Sequence, residues 1–571
     1  MLNSKIMKNR FLILACILFA GISLYAQVPV KEMADPHPTP VEVWNNVTVP
    51  SFGWGTIDVK YKIDDVPVLT KVQSLQGWRG ERVHAQAVLV APKAVKSFKF
   101  KTSDLKSGKN TIPASAIDRY FETYVMGEVE FQGETDLRPD RLIKTEEMSV
   151  PEKTVRPVWI TVNIPKDAAP GKYKGSLTAN CDGKVFNIPY TLEVSKRVLP
   201  EPKDWVFHLD LWQNPYAVAR YFNVPLWSKE HFDIMRPIME HLASAGQKVI
   251  TASIIQHPWN SQTEDPFESM IGKFRSHDGT WKYNYSVFDK WIEFMMSCGI
   301  TEQIDCYTIL PWHLTFEYFD EAINCSVSKK MDPGSKEYED YLLPFLTDFA
   351  RHLKAKGWFD KTCIAMDERP KDLLEHAYAI VYKAEKNFKI EGAVNYYGPE
   401  VAERMYDISF YFREPLLTDE QLTNHHAKGN LVTIYTCCSP SRPNTFTNSN
   451  PAESAYLGWY TAAAGYDGYL RWAYNSWVKD PNVDSRFRTW RAGDCYLVYP
   501  DGTSIRFERL IEGIQDYEKI NILKKELGKD KVARLNAQLL KFRDLDWDKI
   551  TDSEVSGLVN ESKALLRSLE K

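Results

Sequence analysis

The chain has 571 residues, 44% hydrophobic and 26% charged, the balance of a soluble globular protein. That balance excludes a disordered chain, a collagen-like fibre and a polytopic membrane protein, and 71 basic against 75 acidic residues exclude a broad polyanion-binding face, so no nucleic acid is expected as partner. The unusual figure is the 13% of aromatic residues, with 17 Trp and 29 Tyr, a density that suggests large flat contact surfaces in a core or a site.

Lys5, Lys8 and Arg10 precede an apolar run from Phe11 to Leu24, and Ala26 closes the segment. A basic start, a short apolar stretch and a small final residue are the signature of a secretory signal peptide over 1–26. The expected location is therefore outside the cytoplasm, periplasmic or extracellular. Cys16 is a poor lipid-attachment site, because Leu14 fits badly before Ala15 and apolar residues continue beyond the cysteine. No later segment is long and apolar enough to span a bilayer. The cysteines beyond the leader form no Cys-x-x-Cys pair and no zinc-type cluster, so neither metal nor cofactor is expected.

From 28 to 200 the pattern has period two. Ile57, Val59, Tyr61 and Ile63 alternate with Asp58, Lys60 and Lys62, as do Val158, Ile160, Val162 and Ile164 with their neighbours. Val185, Ile188, Tyr190, Leu192 and Val194 nearly repeat the pattern, and Ala169-Pro170-Gly171 is a turn. These features predict an all-β sandwich. Pro200-Glu201-Pro202 reads as a linker.

From 204 to 530 strands alternate with helices. Strands are expected near 205–212, 248–255, 302–309, 362–368, 388–395, 407–412, 431–438 and 468–475. Phe232, Met235, Met239 and Leu242 form one helical stripe; Leu342, Leu346, Phe349 and Leu353 form another. Phe507, Leu510, Ile511, Ile514 and Tyr517 mark a long helix after the last strand. Eight such units argue for a (β/α)₈ TIM-like barrel; the rival doubly wound sheet lacks its Gly-rich phosphate turn. Residues 531–571 read as charged helices packed on the barrel.

A barrel carries its site at the carboxyl ends of its strands. Here those ends supply Trp212, Trp259, Trp312, Asn395, Tyr396, Tyr397, Tyr435, Arg471, Trp472, Tyr474 and Asn475. Indole and phenol faces stack on sugar rings, while amides and guanidinium groups bond hydroxyls. The recurrence at strand end after strand end predicts a carbohydrate site, although any one tryptophan serves a core equally well.

Asp367-Glu368, after the apolar run Cys363 to Met366, is the best catalytic candidate. Two adjacent carboxylates repel, so one of them titrates high, and a protonated acid is what glycosidic cleavage needs at the leaving oxygen. Two readings stay open at this point. The pair is catalytic, or it is a solvated acidic helix start favoured by the helix dipole. Strand neighbours also point to opposite faces, so both reach one substrate only where the pleat breaks. His425-His426 reads as surface. Cys437-Cys438 lacks the partners a metal site requires.

The longer strings resemble glycoside hydrolase family 123, the β-N-acetylgalactosaminidases. They are Cys438 to Phe446 (CSPSRPNTF), Asp467 to Asn475 (DGYLRWAYN), Gly493 to Pro500 (GDCYLVYP), Ser504 to Leu510 (SIRFERL) and Asp516-Tyr517-Glu518, beside the Asp-Glu pair. The resemblance implies retaining, substrate-assisted hydrolysis, in which the sugar's own 2-acetamido oxygen attacks the anomeric carbon. It implies Glu368 as general acid and then base, and Asp367 as the group that orients the acetamido N–H. It implies a glycan or glycolipid substrate with terminal β-linked N-acetylgalactosamine. A glycosidase of the same architecture for another sugar, and a non-catalytic glycan-binding protein, are the alternatives.

Overall fold

The computed structural model describes residues 31–260, 262–395, 403–412 and 417–570. The expected leader, 1–26, and Tyr396 and Tyr397 lie outside the described residues.

Two sheets make the N-terminal sandwich. One runs in the order Ser51–Trp54, Arg82–Ala91, Thr154–Asn163, Ile117–Glu128, Thr135–Ile143, and ends on Gly502–Ser504, a strand supplied by the C-terminal half of the chain. The other runs Gln73–Arg79, Lys184–Val198, Gly171–Cys181, Val95–Thr102, Met148–Val150. Val158, Ile160 and Val162 face the core between the sheets, as their alternation predicts. Phe121 meets Phe98 and Phe100 there edge-on, at 5.3 and 4.9 Å, a favoured ring geometry.

The alternating segment 57–63 corrects its expectation: it is turn and extended chain, not strand. Its polar members are the buried ones. Asp58 pairs with Arg509 at 2.7 Å and Lys60 with Asp140 at 3.0 Å, while Val59 is exposed. Distant charged partners reverse the sidedness that local hydrophobicity suggests, because a charge is buried cheaply only when paired.

The eight barrel strands are β1 His208–Leu211, β2 Val249–Ser253, β3 Gln303–Tyr307, β4 Thr362–Met366, β5 Lys389–Val394, β6 Asp407–Tyr411, β7 Leu431–Tyr435 and β8 Gly468–Arg471. They pair in parallel in the order β1-β8-β7-β6-β5-β4-β3-β2. A single bridge between Leu209 and Gln247, with Lys248 N–H on Leu209 O at 3.0 Å, nearly closes the ring from β2 to β1. All eight fall where the apolar runs predict, and six end before their predicted limit by a wider margin than they begin late. The chain that follows each end is loop, and it carries the polar and aromatic strings.

The helix Lys336–Lys356 shows the local logic. Ser335 caps its N-terminus through the Tyr338 N–H, Glu337 and Glu339 sit in the first turn, and Gly357 closes it in the left-handed conformation. Leu342, Leu346, Phe349 and Leu353 are buried against the barrel, as their spacing requires. The loops after β2 and β3 add a four-stranded sheet, Trp281–Asn284, Gly272–Arg275, Thr315–Asp320 and Cys325–Lys330, on the carboxyl side of the barrel.

Helix Ile505–Glu526 joins the two halves and is buried on nearly every side. Its apolar residues meet the barrel core. Its charges meet the sandwich: Arg82 reaches Glu508 at 2.5 Å, Arg506 reaches Asp140 at 2.9 Å, and Lys519 reaches Glu81 at 2.6 Å. It crosses helix Pro451–Ala464 at Gly513 and Gly458, where a Cβ on Gly458 would stand 2.1 Å from the Gly513 carbonyl oxygen. Helices Lys529–Arg543 and Asp552–Leu569 complete the C-terminus, and Trp78 of the sandwich donates to Glu570 at 2.5 Å. Among the described residues no helix is long and apolar enough to cross a membrane.

Candidate active site

Strand β4 ends at Met366, so Asp367 and Glu368 stand just past the pleat. The opposite-facing constraint of a regular strand no longer applies to them, and both are partly buried. Trp312, from the loop after β3, donates its indole N–H to Asp367 Oδ2 at 2.9 Å. Asp367 Oδ1 accepts the Glu368 backbone N–H at 2.8 Å. Arg369 lies 5.2 Å over the Trp312 ring and adds its charge to the same corner. Burial pushes the Asp367 carboxyl up, and the two N–H donors and Arg369 oppose that shift.

Glu368 has different partners. Tyr435, the last residue of β7, donates its hydroxyl to Oε1, and Asn395, just beyond β5, approaches Oε2 at 3.4 Å. Burial raises the Glu368 carboxyl, the Tyr435 hydrogen bond lowers it, and repulsion from Asp367 raises it again, with a net rise. A carboxyl held above its usual range is suited to carry a proton near neutral pH.

The structure thus brings Asp367, Glu368, Trp312, Asn395 and Tyr435 together. Trp212 and Trp259 stack on each other at 5.0 Å and close on Tyr307 at 4.4 and 5.1 Å. Each is only 5% exposed, so they form an aromatic floor beneath the pair. Trp472 is partly exposed, donates to Asp494 at 3.0 Å and meets Trp490 edge-on at 6.0 Å. Part of its ring therefore faces solvent.

Arg471, Tyr474 and Asn475 are placed elsewhere than their strand-end positions suggest, each fully buried. Arg471 forms an ion pair with Asp494 at 2.8 Å and donates to Asn444 and Thr436. Tyr474 donates to the Ile238 carbonyl at 3.0 Å. Asn475 holds the turn of Asn214, accepting its N–H at 2.9 Å and donating to its carbonyl at 2.9 Å. The reason is that β8 stops at Arg471, four residues short of expectation, and the chain then turns down into the protein.

Sequence reasoning missed Asp494, which orders both Arg471 and Trp472. It sits in the string from Gly493 to Pro500 but gives no periodic signal. It also missed the burial of His425, whose partner in the pair, His426, is exposed and contacts Asp467 at 2.9 Å. Cys437 and Cys438 follow Tyr435 closely, with their sulfurs 3.9 Å apart and free.

The family model for the glycoside hydrolase 123 catalytic domain matches residues 212–523, and that for the glycoside hydrolase 123 N-terminal domain matches 54–180. The chain belongs to glycoside hydrolase family 123. A solved family 123 glycoside hydrolase from Clostridium perfringens, studied for glycolipid glycan hydrolysis, aligns with a TM-score of 0.85 at 26% identity, over 92% of this chain and 98% of that one. Two β-glucuronidases, from Bacteroides uniformis and Parabacteroides merdae, align only at TM-scores of 0.29 and 0.30 with 8% identity, over 77% and 76% of this chain and 50% of each of theirs. They carry no weight in the assignment. No functionally curated protein sequence matches the chain.

Proposed function

We propose that this glycoside hydrolase releases terminal β-linked N-acetylgalactosamine, with retention and by substrate-assisted catalysis, from glycolipid glycans or related chains outside the cytoplasm. The observation that carries the reading is the unequal pair at the end of β4. Two neighbouring carboxyls occupy one corner, both raised by burial, but the ionised form of Asp367 is supported by two N–H donors and Arg369, whereas the charge of Asp367 raises Glu368 further.

In the proposed first step Glu368 gives its proton to the glycosidic oxygen as the bond from C1 breaks. The acetamido carbonyl oxygen forms the new bond to C1, giving a cyclic oxazolinium. Asp367, ionised, accepts the amide N–H and balances the developing positive charge. In the second step Glu368, now a carboxylate, removes a proton from the water that attacks C1, and the ring opens to the free sugar. Because the nucleophile belongs to the substrate, no carboxylate from another strand is required. Asp494 is committed to Arg471 and Trp472 and takes no part. Trp472 and Trp312, both partly exposed, supply the aromatic edges for the sugar.

A panel of aryl glycosides tests this. Wild type should cleave the β-N-acetylgalactosaminide and fail on the sugar bearing a 2-hydroxyl in place of the acetamido group. Glu368→Gln should lose about 10²–10⁴-fold in rate with an unchanged fold. A fully active Glu368→Gln enzyme, or equal rates with and without the acetamido group, would sink the mechanism.

A further inference from the structure

Below the aromatic floor the barrel interior holds a set of acids. Asp210 on β1, Asp305 on β3 and Glu391 on β5 each offer a carboxylate oxygen, and these three oxygens lie within 4.8 Å of one another. All three residues are essentially inaccessible to solvent. Each acid is flanked in sequence by residues of an apolar strand, as in Leu209-Asp210-Leu211 and Ile304-Asp305-Cys306. The strongest electrostatic neighbours of Asp305 and Glu391 are other acids, Asp210, Asp305 and Asp407 among them; that of Asp210 is His208, followed by Asp407, and His208 pairs with Asp407 at 2.9 Å.

The hydrogen bonding is half complete in a consistent way. Asp210 Oδ2 accepts the Trp212 indole at 3.2 Å and Glu391 Oε2 accepts the Tyr307 hydroxyl at 3.0 Å. Asp305 accepts from Gln303 at 3.0 and 3.2 Å. The remaining oxygens, Asp210 Oδ1 and Glu391 Oε1, have no partner. A separate residue shares this state. The Ser409 hydroxyl on β6 is 1% exposed and has no partner. Ser409 lies two residues along β6 from Asp407, so it points to the same side, and Asp407 points inward to Gln303 at 2.8 Å and to His208. Buried oxygens are thus left open on three strands, β1, β5 and β6, and Asp407 on β6 adds a fourth acid beside them.

We propose that Asp210, Asp305 and Glu391, with the Ser409 hydroxyl, hold a hard divalent cation in the barrel interior. The donors are all oxygen and include no sulfur, which selects calcium, magnesium or manganese over zinc. Three oxygens within 4.8 Å of one another lie at most about 2.8 Å from a common centre, so a small inward shift reaches the roughly 2.3–2.6 Å of a calcium–oxygen bond. A divalent ion cancels two of the three carboxylate charges. The ion would be structural. It lies one layer below Trp212 and Tyr307, which its ligands orient through the two hydrogen bonds above, and Tyr307 senses the charge of Asp367. The cation thereby fixes the floor on which the catalytic corner rests. It is independent of the reaction assigned to that corner.

The test uses the full chain. Protein as isolated, and protein dialysed against EDTA, are assayed for metal by mass spectrometry and melted with EDTA, calcium, magnesium or manganese. About one divalent ion per chain is expected before chelation. Removal should lower the melting midpoint by about 2–4 °C or more, restored by the cation that fits. Asp305→Asn should lose both the ion and the metal-dependent shift. If that variant does not fold, Ser409→Ala removes one neutral donor and should weaken the affinity about 10-fold. Wild type that carries no divalent ion and melts alike in EDTA and in all three cations overturns the proposal, and the acids then hold protons. An ion retained undiminished by both variants also overturns it.

Discussion

Replacing Tyr435 with Phe isolates one interaction at Glu368, the proposed general acid. The ring and its packing stay, including the 5.8 Å contact with Tyr411, and only the hydroxyl that donates to Glu368 is lost. That hydrogen bond favours the ionised carboxylate. Without it, burial and the repulsion of Asp367 act unopposed, so Glu368 keeps its proton to higher pH. A hydrogen bond to a charged acceptor is worth about 1.5–3 kcal/mol. Glu368 is only partly buried, so solvent screening reduces this to about 1 kcal/mol, or roughly 0.5–1 pH unit. The assay is the pH dependence of kcat/KM on a substrate with a sugar leaving group, where protonation of the leaving oxygen matters most. The free enzyme's acid sets the alkaline limb, and that limb should move up by this amount while the acidic limb stays. A limb that stays put, or moves down, refutes the reasoning. A uniform loss of rate at every pH would show that Tyr435 only shapes the site.

Trp312→Phe removes the indole donor from Asp367 while keeping a ring under Arg369. Asp367 then stays protonated to higher pH, so the acidic limb of the same profile should rise by about 0.5–1 pH unit, on the same arithmetic. Asp494→Ala leaves the fully buried Arg471 uncompensated, and denaturant unfolding should show a loss of about 3–5 kcal/mol. Gly458→Ala drives a methyl group into the Gly513 backbone. Overpacking of this kind costs about 1–3 kcal/mol, seen as a lower melting midpoint with unchanged activity per folded molecule.

The barrel is legible in the sequence because its strands are buried on both faces and read as short apolar runs; β4 in Cys363 to Met366 is one. The Asp367-Glu368 pair stands out for the same reason, as two acids directly after such a run. Partners are harder to see than positions. Trp312 and Tyr435 are strand-end aromatics like Trp212, and nothing local tells a carboxylate donor from a floor tile. The string from Arg471 to Asn475 misleads in a physical way. It looks like a row of sugar contacts, yet its polar groups tie β8 to Asp494, Asn444 and Asn214. The segment 57–63 fails because its buried face is the charged one, satisfied by Arg509 and Asp140 from far along the chain. The acids inside the barrel do leave a trace, an Asp or Glu in the middle of an apolar strand, but they come together only when β1, β3 and β5 close.

Asp367 and Glu368 are adjacent and of one chemical kind, yet their surroundings divide the work between them. Burial raises both carboxyls, and the charge of Asp367 raises Glu368 further. What separates them is support for the charged form. Asp367 has an indole N–H, a backbone N–H and a guanidinium nearby; Glu368 has one hydroxyl and a long contact to an amide. In the proposed mechanism Asp367 is the first to lose its proton as pH rises, and its charge then holds the proton on Glu368. The working state of a substrate-assisted glycosidase has this order, with the anion at the amide N–H and the acid at the leaving oxygen. The reverse order would place the proton where no bond breaks. Tyr435→Phe widens the gap between the two groups and Trp312→Phe narrows it. A broader pH plateau in the first variant and a narrower one in the second, on the same fold, is the joint signature that the order arises from these donors and not from burial alone.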